Sequence, residues 1–417
     1  MTELKADIVV LGAGMVGVGA ALHLQKRGRD VVLIDRHDLA GEETSFGNAG
    51  IIECASVFPY MFPRDFSEIL SYALNRKPHV RYRFVDLPDF LPWLVRHYLA
   101  SSPKRALNSA HAELPLIRQS LLEHEALVAE AGIPDLLRKT GWLKVYRSES
   151  SLGKAAREAE RAREYGVENE VIDAREITAR EPHLTGEFAG AVYLPSPASV
   201  PDPGGLAKAY AALFGRRGGR FYVGDARTLE QIGRSWRVAT LEGSISARDV
   251  VVAMGPWSEQ VFAPLGYAIP LQVKRGYHVH VAPCGNAVMN GPVLDADLGY
   301  CLAPMNRGIR VTTGVEFAHR DAPPSPVQVD LALPRARKLF PLGKVIDARP
   351  WKGARPCLPD MLPVIGRAPR HPGLWFDFGH QHHGFTLGPV TGRLLAEMMT
   401  GETPFADTRP FAAERFG

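Results

Sequence analysis

The chain has 417 residues, enough for two sizeable cores, and its 46% hydrophobic and 23% charged residues are those of an ordinary globular protein. Forty-nine basic and 45 acidic residues leave a formal charge of +4, with no run of like charge and no basic block interleaved with aromatics, which argues against a nucleic-acid partner. Cys54, Cys284, Cys301 and Cys357 are scattered without a C-x-x-C pair, so neither a zinc centre nor a disulfide framework is expected, and a reducing compartment is the default.

Residues 7–11, DIVVL, are a short β-branched apolar run that predicts a buried parallel strand. Gly12-Ala13-Gly14-Met15-Val16-Gly17 follows, then a helix from Val16 to Arg27 stopped by Gly28, then a strand from Val31 to Ile34 ending at Asp35. Strand, G-x-G-x-x-G, helix, strand and acid at this spacing predict a dinucleotide-binding unit. Gly12 permits the tight turn, Gly14 lets a pyrophosphate approach the backbone, and Gly17 lets the helix pack on the strand. The phosphates then sit at the positive end of the helix, and Asp35 can accept hydrogen bonds from a ribose hydroxyl. The motif alone does not separate NAD from FAD. The small and hydroxyl-bearing residues from Glu43 to Gly50, ETSFGNAG, suit close backbone approach to a long cofactor.

Leu87 opens LPDFLPWL, an apolar segment ending near Leu99 that reads as a helix packed on its own domain or as a membrane-touching surface. Helical patterns run from Glu113 to Ala131 and from Ser151 to Tyr165. Pro201-Asp202-Pro203 marks a boundary, after which a helix from Gly204 leads to a strand near Phe221. Asp249 to Ser258, DVVVAMGPWS, is a further buried strand ending in glycine. In KRGYHVHV, Tyr277 and His278 are further pocket candidates; alternation places Tyr277, Val279 and Val281 on one face and His278 and His280 on the other, which faces either a pocket or solvent. Residues 298–314 read as a hairpin, and Leu374 to Phe378 as a strand. The loop from Gly379 to Gly384 then leads into a helix from Thr386 onward. No stretch reaches the roughly 18 uninterrupted apolar residues of a membrane span, and the N-terminus lacks a leader pattern. A cytoplasmic location, with peripheral contact at the inner membrane face, is the expectation.

In this order, VVLGAGMVGVGAALHL, ETSFGNAG, WKGARPCLPDMLPVIGR (351–367) and GHQHHGFTLGP (379–389) resemble the FAD-dependent D-amino-acid dehydrogenase and glycine oxidase group of the D-amino-acid oxidase superfamily, D-hydroxyproline dehydrogenases included. The resemblance covers nearly the whole chain. It implies an α/β and α+β fold, with a Rossmann-like FAD-binding domain interleaved with a mixed-sheet substrate domain. The expected division is 1–56, 201–265 and 350–417 for FAD, and 57–200 with 266–349 for substrate. The implied FAD contacts are Gly12, Gly14, Met15, Val16, Gly17, Asp35, Arg36, Thr44, Ser45, Asn48, Ala49, Gly50, Ala253, Gly255, Trp257, His380, Gly384, Phe385 and Thr386. Arg227 falls where relatives place a valine whose backbone meets adenine.

A substrate carboxylate in an apolar pocket needs a partner, and a bidentate arginine is the usual one. Arg355 matches the arginine of the family's G-x-R-P motif. The family also places a carboxylate-binding tyrosine on the 298–314 hairpin. Tyr300 lies one position off that alignment, with Cys301 in the matching place, and a one-residue offset reverses the face of a strand. His380, His382 and His383 raise the question of a metal, but no further ligands are recognisable by spacing, so none is expected. The resemblance instead puts His382 in the substrate pocket and points the following helix N-terminus at the flavin pyrimidine ring. The implied reaction is oxidation of a D-amino acid, primary or cyclic such as D-proline, by hydride transfer from Cα to flavin N5. The electron acceptor would be a quinone, a partner flavoprotein or oxygen, and an oligomer is compatible with the sequence. The alternatives are a glycine or sarcosine oxidase releasing hydrogen peroxide, an NAD-dependent dehydrogenase, and a subunit that carries flavin structurally.

Overall fold

The computed structural model describes residues 4–417. The apolar run before the glycine motif forms β1 (Leu4–Leu11), the motif opens α1 (Met15–Lys26), and β2 (Val31–Asp35) follows. Parallel pairing on both sides of β1, Val10↔Leu33 and Val10↔Val251, explains why Ile8 to Leu11 are apolar without alternation. Strand Arg220–Ile232 pairs with β2 through its first residues. It then leaves in an antiparallel meander with Ser235–Thr240 and Gly243–Val252. Leu374–Phe378 and Val364–Arg367 complete this seven-stranded sheet.

Helix α1 lies against the C-terminal helix Gly384–Thr400 through small residues. A Cβ on Gly19 would stand 2.6 Å from the Gly388 carbonyl, and one on Gly392 would stand 2.4 Å from the Ala20 nitrogen. This close approach brings the N-termini of both helices to one side of the sheet.

The second sheet is mixed and eleven-stranded. At its centre Gln272–Pro283 pairs with the hairpin strand Gly308–Thr312 and with Trp351–Cys357. The latter strand therefore belongs to the larger sheet, although its sequence position groups it with the cofactor-binding stretches. Tyr277, Val279 and Val281 share a core cluster, as alternation predicts. His278 and His280 share the other face, and both are buried rather than exposed. The strand is covered on both faces: the His278 ring stacks 4.8 Å from Trp351, and His280 bonds Asp347 at 2.8 Å.

The long helix Pro103–Ala131 starts ten residues before the predicted stretch, behind Ser102 and with proline in its first turn. Leu87–Ala100 is a helix with Phe90, Trp93, Leu94 and His97 buried. Its opposite stripe, Leu91, Val95 and Leu99, is exposed. Among the described residues, no helix is long and apolar enough to cross a membrane.

Candidate active site

One cavity of about 1300 Å³ runs from the end of β2, past the glycine loop, to the inner face of the larger sheet. At its first end Gly12 has φ +103°, and a Cβ there would meet the Ala253 carbonyl at 2.6 Å. A Cβ on Gly17 would stand 1.8 Å from the Gly12 carbonyl. Only Gly14 has room, its nearest neighbour being Ser45 Oγ at 3.4 Å. Gly14 caps α1 without a side-chain bond, while Met15 N–H donates to Ser45 Oγ at 3.0 Å. Asp35 ties the loops together, its carboxylate accepting from Ala13 N–H at 2.7 Å and from His37 N–H at 3.0 Å. Each oxygen keeps a lone pair for a further donor.

The other expected cofactor residues fall mainly along this half. Arg36 lies 4.1 Å over the Trp257 ring, and Val16, Ala253 and Gly255 border the cavity beside them. Thr44 donates to the Ala354 carbonyl at 2.8 Å, binding the ETSFGNAG loop to the strand that carries Arg355. Asn48 accepts from Gly50 N–H at 2.8 Å, with Ala49 on the cavity wall between them. Thr386 turns away from the cavity and accepts from Glu53 N–H at 3.0 Å. Gly384 and Phe385 border the cavity at the start of the C-terminal helix, which has no side-chain cap.

Arg227 and Tyr300 both border the cavity, each with a polar partner of its own. Arg227 is exposed and paired with Asp225 at 2.8 Å. The valine aligned with Asp35 across the sheet is Val223, which also borders the cavity. Tyr300 is buried with its hydroxyl on Asp295 at 3.2 Å, and that acid also holds Arg147 at 2.7 Å. Its side chain packs in the core cluster of the larger sheet, whereas Cys301 falls in the other cluster and feels Glu53 and Lys144. The one-residue offset therefore has its expected consequence. The tyrosine within electrostatic reach of Arg355 is Tyr60.

At the far end Arg355 lies flat over Gly276, where a Cβ would stand 2.7 Å from both terminal guanidinium nitrogens. Nη1 donates to the Gly314 carbonyl at 3.0 Å. Among the described residues, no carboxylate forms an ion pair with this guanidinium. Burial lowers its pKa, and Glu53 and Tyr60 only partly offset that effect.

The histidine loop is pinned above it. Gln381 adopts φ 56°, an uncommon left-handed conformation for a residue with a side chain. Its N–H donates to the Pro356 carbonyl at 2.8 Å and its side-chain amide donates to the Met361 carbonyl. His380 spends its Nε2 on Thr391 at 3.1 Å and Asp377 at 3.3 Å, so it orients the loop. His382 borders the cavity, 5.0 Å from the Tyr60 ring, and its buried Nε2 has no partner. Burial, then His383 and Arg355, hold its pKa well below the usual range, so the ring is neutral. His383 contacts buried Glu113 at 3.4 Å, and that acid with Glu53 raises its pKa against burial. Glu53, His382 and His383 each bring one ligand-type atom within 4.8 Å of the others. Arg355, Lys274 and Lys144 surround His382 with positive charge, which opposes a divalent cation there.

Residues 7–398 match the family model of FAD dependent oxidoreductases, DAO. The chain belongs to this family. It is 30% identical to a D-amino-acid oxidase of Bradyrhizobium diazoefficiens, over 98% of both chains. It is 31% identical to a D-amino acid dehydrogenase of Paramagnetospirillum magneticum, again over 98% of both. Its fold is that of the glycine oxidase from Geobacillus kaustophilus, with a TM-score of 0.75, 23% identity and 98% coverage of each chain. FAD is thus the cofactor of this oxidoreductase, and the cavity suits it. The glycine loop leaves backbone uncovered at Gly14, Asp35 closes one end, and the helix terminus of the histidine loop lies at the other.

Sequence reading missed Lys274, Lys144, Glu53 and Tyr60. No local motif marks them; Lys274 and Lys144 reach the cavity from strands of the larger sheet, and Glu53 and Tyr60 from the loop after Ile52.

Proposed function

We propose that this flavoenzyme oxidises a D-amino acid, primary or cyclic, to the imino acid. The observation that carries the reading is Arg355: a guanidinium facing the cavity without an acidic partner, at the end opposite the glycine loop. Full-length likeness to proteins named D-amino-acid oxidase and D-amino acid dehydrogenase supports the substrate class. FAD, when bound, supplies the acceptor for the Cα hydride. Arg355 takes the substrate carboxylate through its free N–H groups, which fixes the direction of the Cα–H bond. His382, neutral and with an unpartnered Nε2, accepts a hydrogen bond from the substrate nitrogen, which enters as the neutral amine so that its lone pair assists hydride departure. Tyr60 closes the mouth over His382. The remaining work is positioning and electrostatics.

The cofactor contacts follow the same reading. Gly12, Gly14, Met15 and Val16 would hold the pyrophosphate, Asp35 the ribose, and Val223, Arg227 and the Arg36–Trp257 pair the adenine, with Gly384 and Phe385 left to hold the flavin ring. The FAD domain comprises 1–56, 201–265 and the chain from about residue 358, since Trp351–Cys357 pairs within the larger sheet.

The exposed stripe of Leu91, Val95 and Leu99, with exposed Phe66 and Leu70 on the preceding helix, supports peripheral contact with a membrane. Arg96, Lys104 and Arg105 lie beside it in sequence. Cosedimentation with anionic vesicles, abolished by Leu91→Glu with Val95→Glu, checks this contact.

The functional test is steady-state turnover of the holoenzyme on D- and L-enantiomers, with a quinone acceptor or oxygen. Turnover confined to D-enantiomers is expected. Peroxide release from glycine or sarcosine, with no turnover of D-amino acids, would replace the reading with a glycine-type oxidase.

A further inference from the structure

Lys274 stands directly opposite Arg355 in the antiparallel pair formed by Gln272–Pro283 and Trp351–Cys357. Directly opposed residues project from the same face with their Cβ atoms about 5 Å apart, and like charges in that relation repel. Both side chains border the cavity. Lys274 is only 9% exposed. Its ammonium finds no carboxylate among the described residues: the one polar contact is Met361 Sδ at 3.9 Å, with the Trp93 and Phe317 rings at 5.1 and 5.6 Å.

The neighbouring residue shows what a structural cation looks like here. Arg275, on the opposite face of the same strand, is fully buried and held by Glu316 at 2.7 Å, by Tyr277 and by three backbone carbonyls. Lys144, a further cation at this end of the cavity, lies within the electrostatic reach of Glu53 and Glu158. Two adjacent, desolvated cations on one strand pair, with no anion between them, leave a cost that the fold does not offset. A ligand with two anionic groups offsets it.

We propose that the substrates of this enzyme are D-amino acids whose side chain ends in a carboxylate, with Arg355 holding the α-carboxylate and Lys274 the distal one. The proposal rests on the reading of the site given above. Val80, Tyr82 and Phe317 border the cavity beside Lys274, with Trp93 packed against Phe317 behind them, so the chain of a substrate would run over largely apolar and aromatic surface to reach the ammonium.

Two measurements on the holoenzyme test this. The first compares kcat/KM for D-glutamate against D-glutamine and D-aspartate against D-asparagine, in the wild type, Lys274→Met and Lys274→Arg. The wild type is expected to favour the acids by about 10- to 100-fold, the scale of one charge-assisted contact. Lys274→Met should collapse that ratio to near unity, and Lys274→Arg should restore most of it. Equal rates on acid and amide in the wild type, or a ratio unmoved by Lys274→Met at full flavin content, would overturn the proposal. The second follows the flavin spectrum during titration with glutarate, succinate and butyrate, and needs no turnover. Tighter binding of the diacids, lost in Lys274→Met, supports the two-cation site even if no D-amino acid is oxidised, and that result would sink the D-amino-acid reading alone. Equal affinity for butyrate and the diacids would sink the two-cation site alone.

Discussion

The two ends of the cavity are built in opposite ways. At the cofactor end, Gly12, Gly14, Gly17 and Asp35 lie within 24 consecutive residues, and local conformation makes the site. At the substrate end, Arg355 and Lys274 are brought together by strand pairing, and Glu53, Tyr60 and His382 reach the same cavity from loops. The first end reads a feature common to every dinucleotide, its pyrophosphate and ribose. The second reads the substrate, through side chains set on a frame built by distant segments. The contrast also appears in charge: backbone dipoles and one acid at the first end, unpaired cations at the second.

The largest expected effect tests the cofactor end. Gly14 is the one motif glycine with space for a side chain, so Gly14→Val should fold yet purify without flavin, losing its visible absorbance. Full flavin content in that variant would break the assignment. Next, Arg355→Ala should keep its flavin and lower kcat/KM by about 10²- to 10³-fold, the cost of removing one partner of a desolvated charge pair. Unchanged kinetics would remove Arg355 from the site.

The sequence displayed the first end almost completely, because the strand, turn, helix and acid are adjacent and each glycine has a steric reason. The second was legible only in part. Arg355 and His382 sat in motifs with a family counterpart, whereas the Tyr300 side chain packs in the core of the larger sheet with its hydroxyl on Asp295. Lys274 carried no local signal, since its meaning comes from a partner 81 positions away. Whether His278 and His280 meet solvent or protein was not legible, because alternation gives faces, not coverage, and a strand central to a sheet is covered on both.

Buried histidines give the substrate half a pH signature. Burial lowers His97 to about 3, His124 to about 4 and His278 to about 2, from 6.5. The unfolded chain binds these protons first, so the stability contributed by neutral burial is present above about pH 6.5 and is lost as pH falls. Each such group removes about 1.4 kcal/mol per pH unit in that window. Melting temperature should therefore fall steadily from pH 7 to pH 5, and a flat profile would contradict the buried, neutral state of these rings. The smallest effect is at the seam between the two ends. Thr44→Val removes the bond to the Ala354 carbonyl and should cost about 1 kcal/mol in melting or flavin affinity, with turnover by bound flavin little changed.

The most direct test of the whole account is the visible spectrum of the anaerobic holoenzyme during addition of D-amino acids, neutral, cyclic and acidic, and of their L-enantiomers. The account predicts a yellow protein whose absorbance bleaches with D-enantiomers and is unchanged by L-enantiomers. A flavin that no D-amino acid reduces, in protein that dithionite bleaches normally, would contradict it.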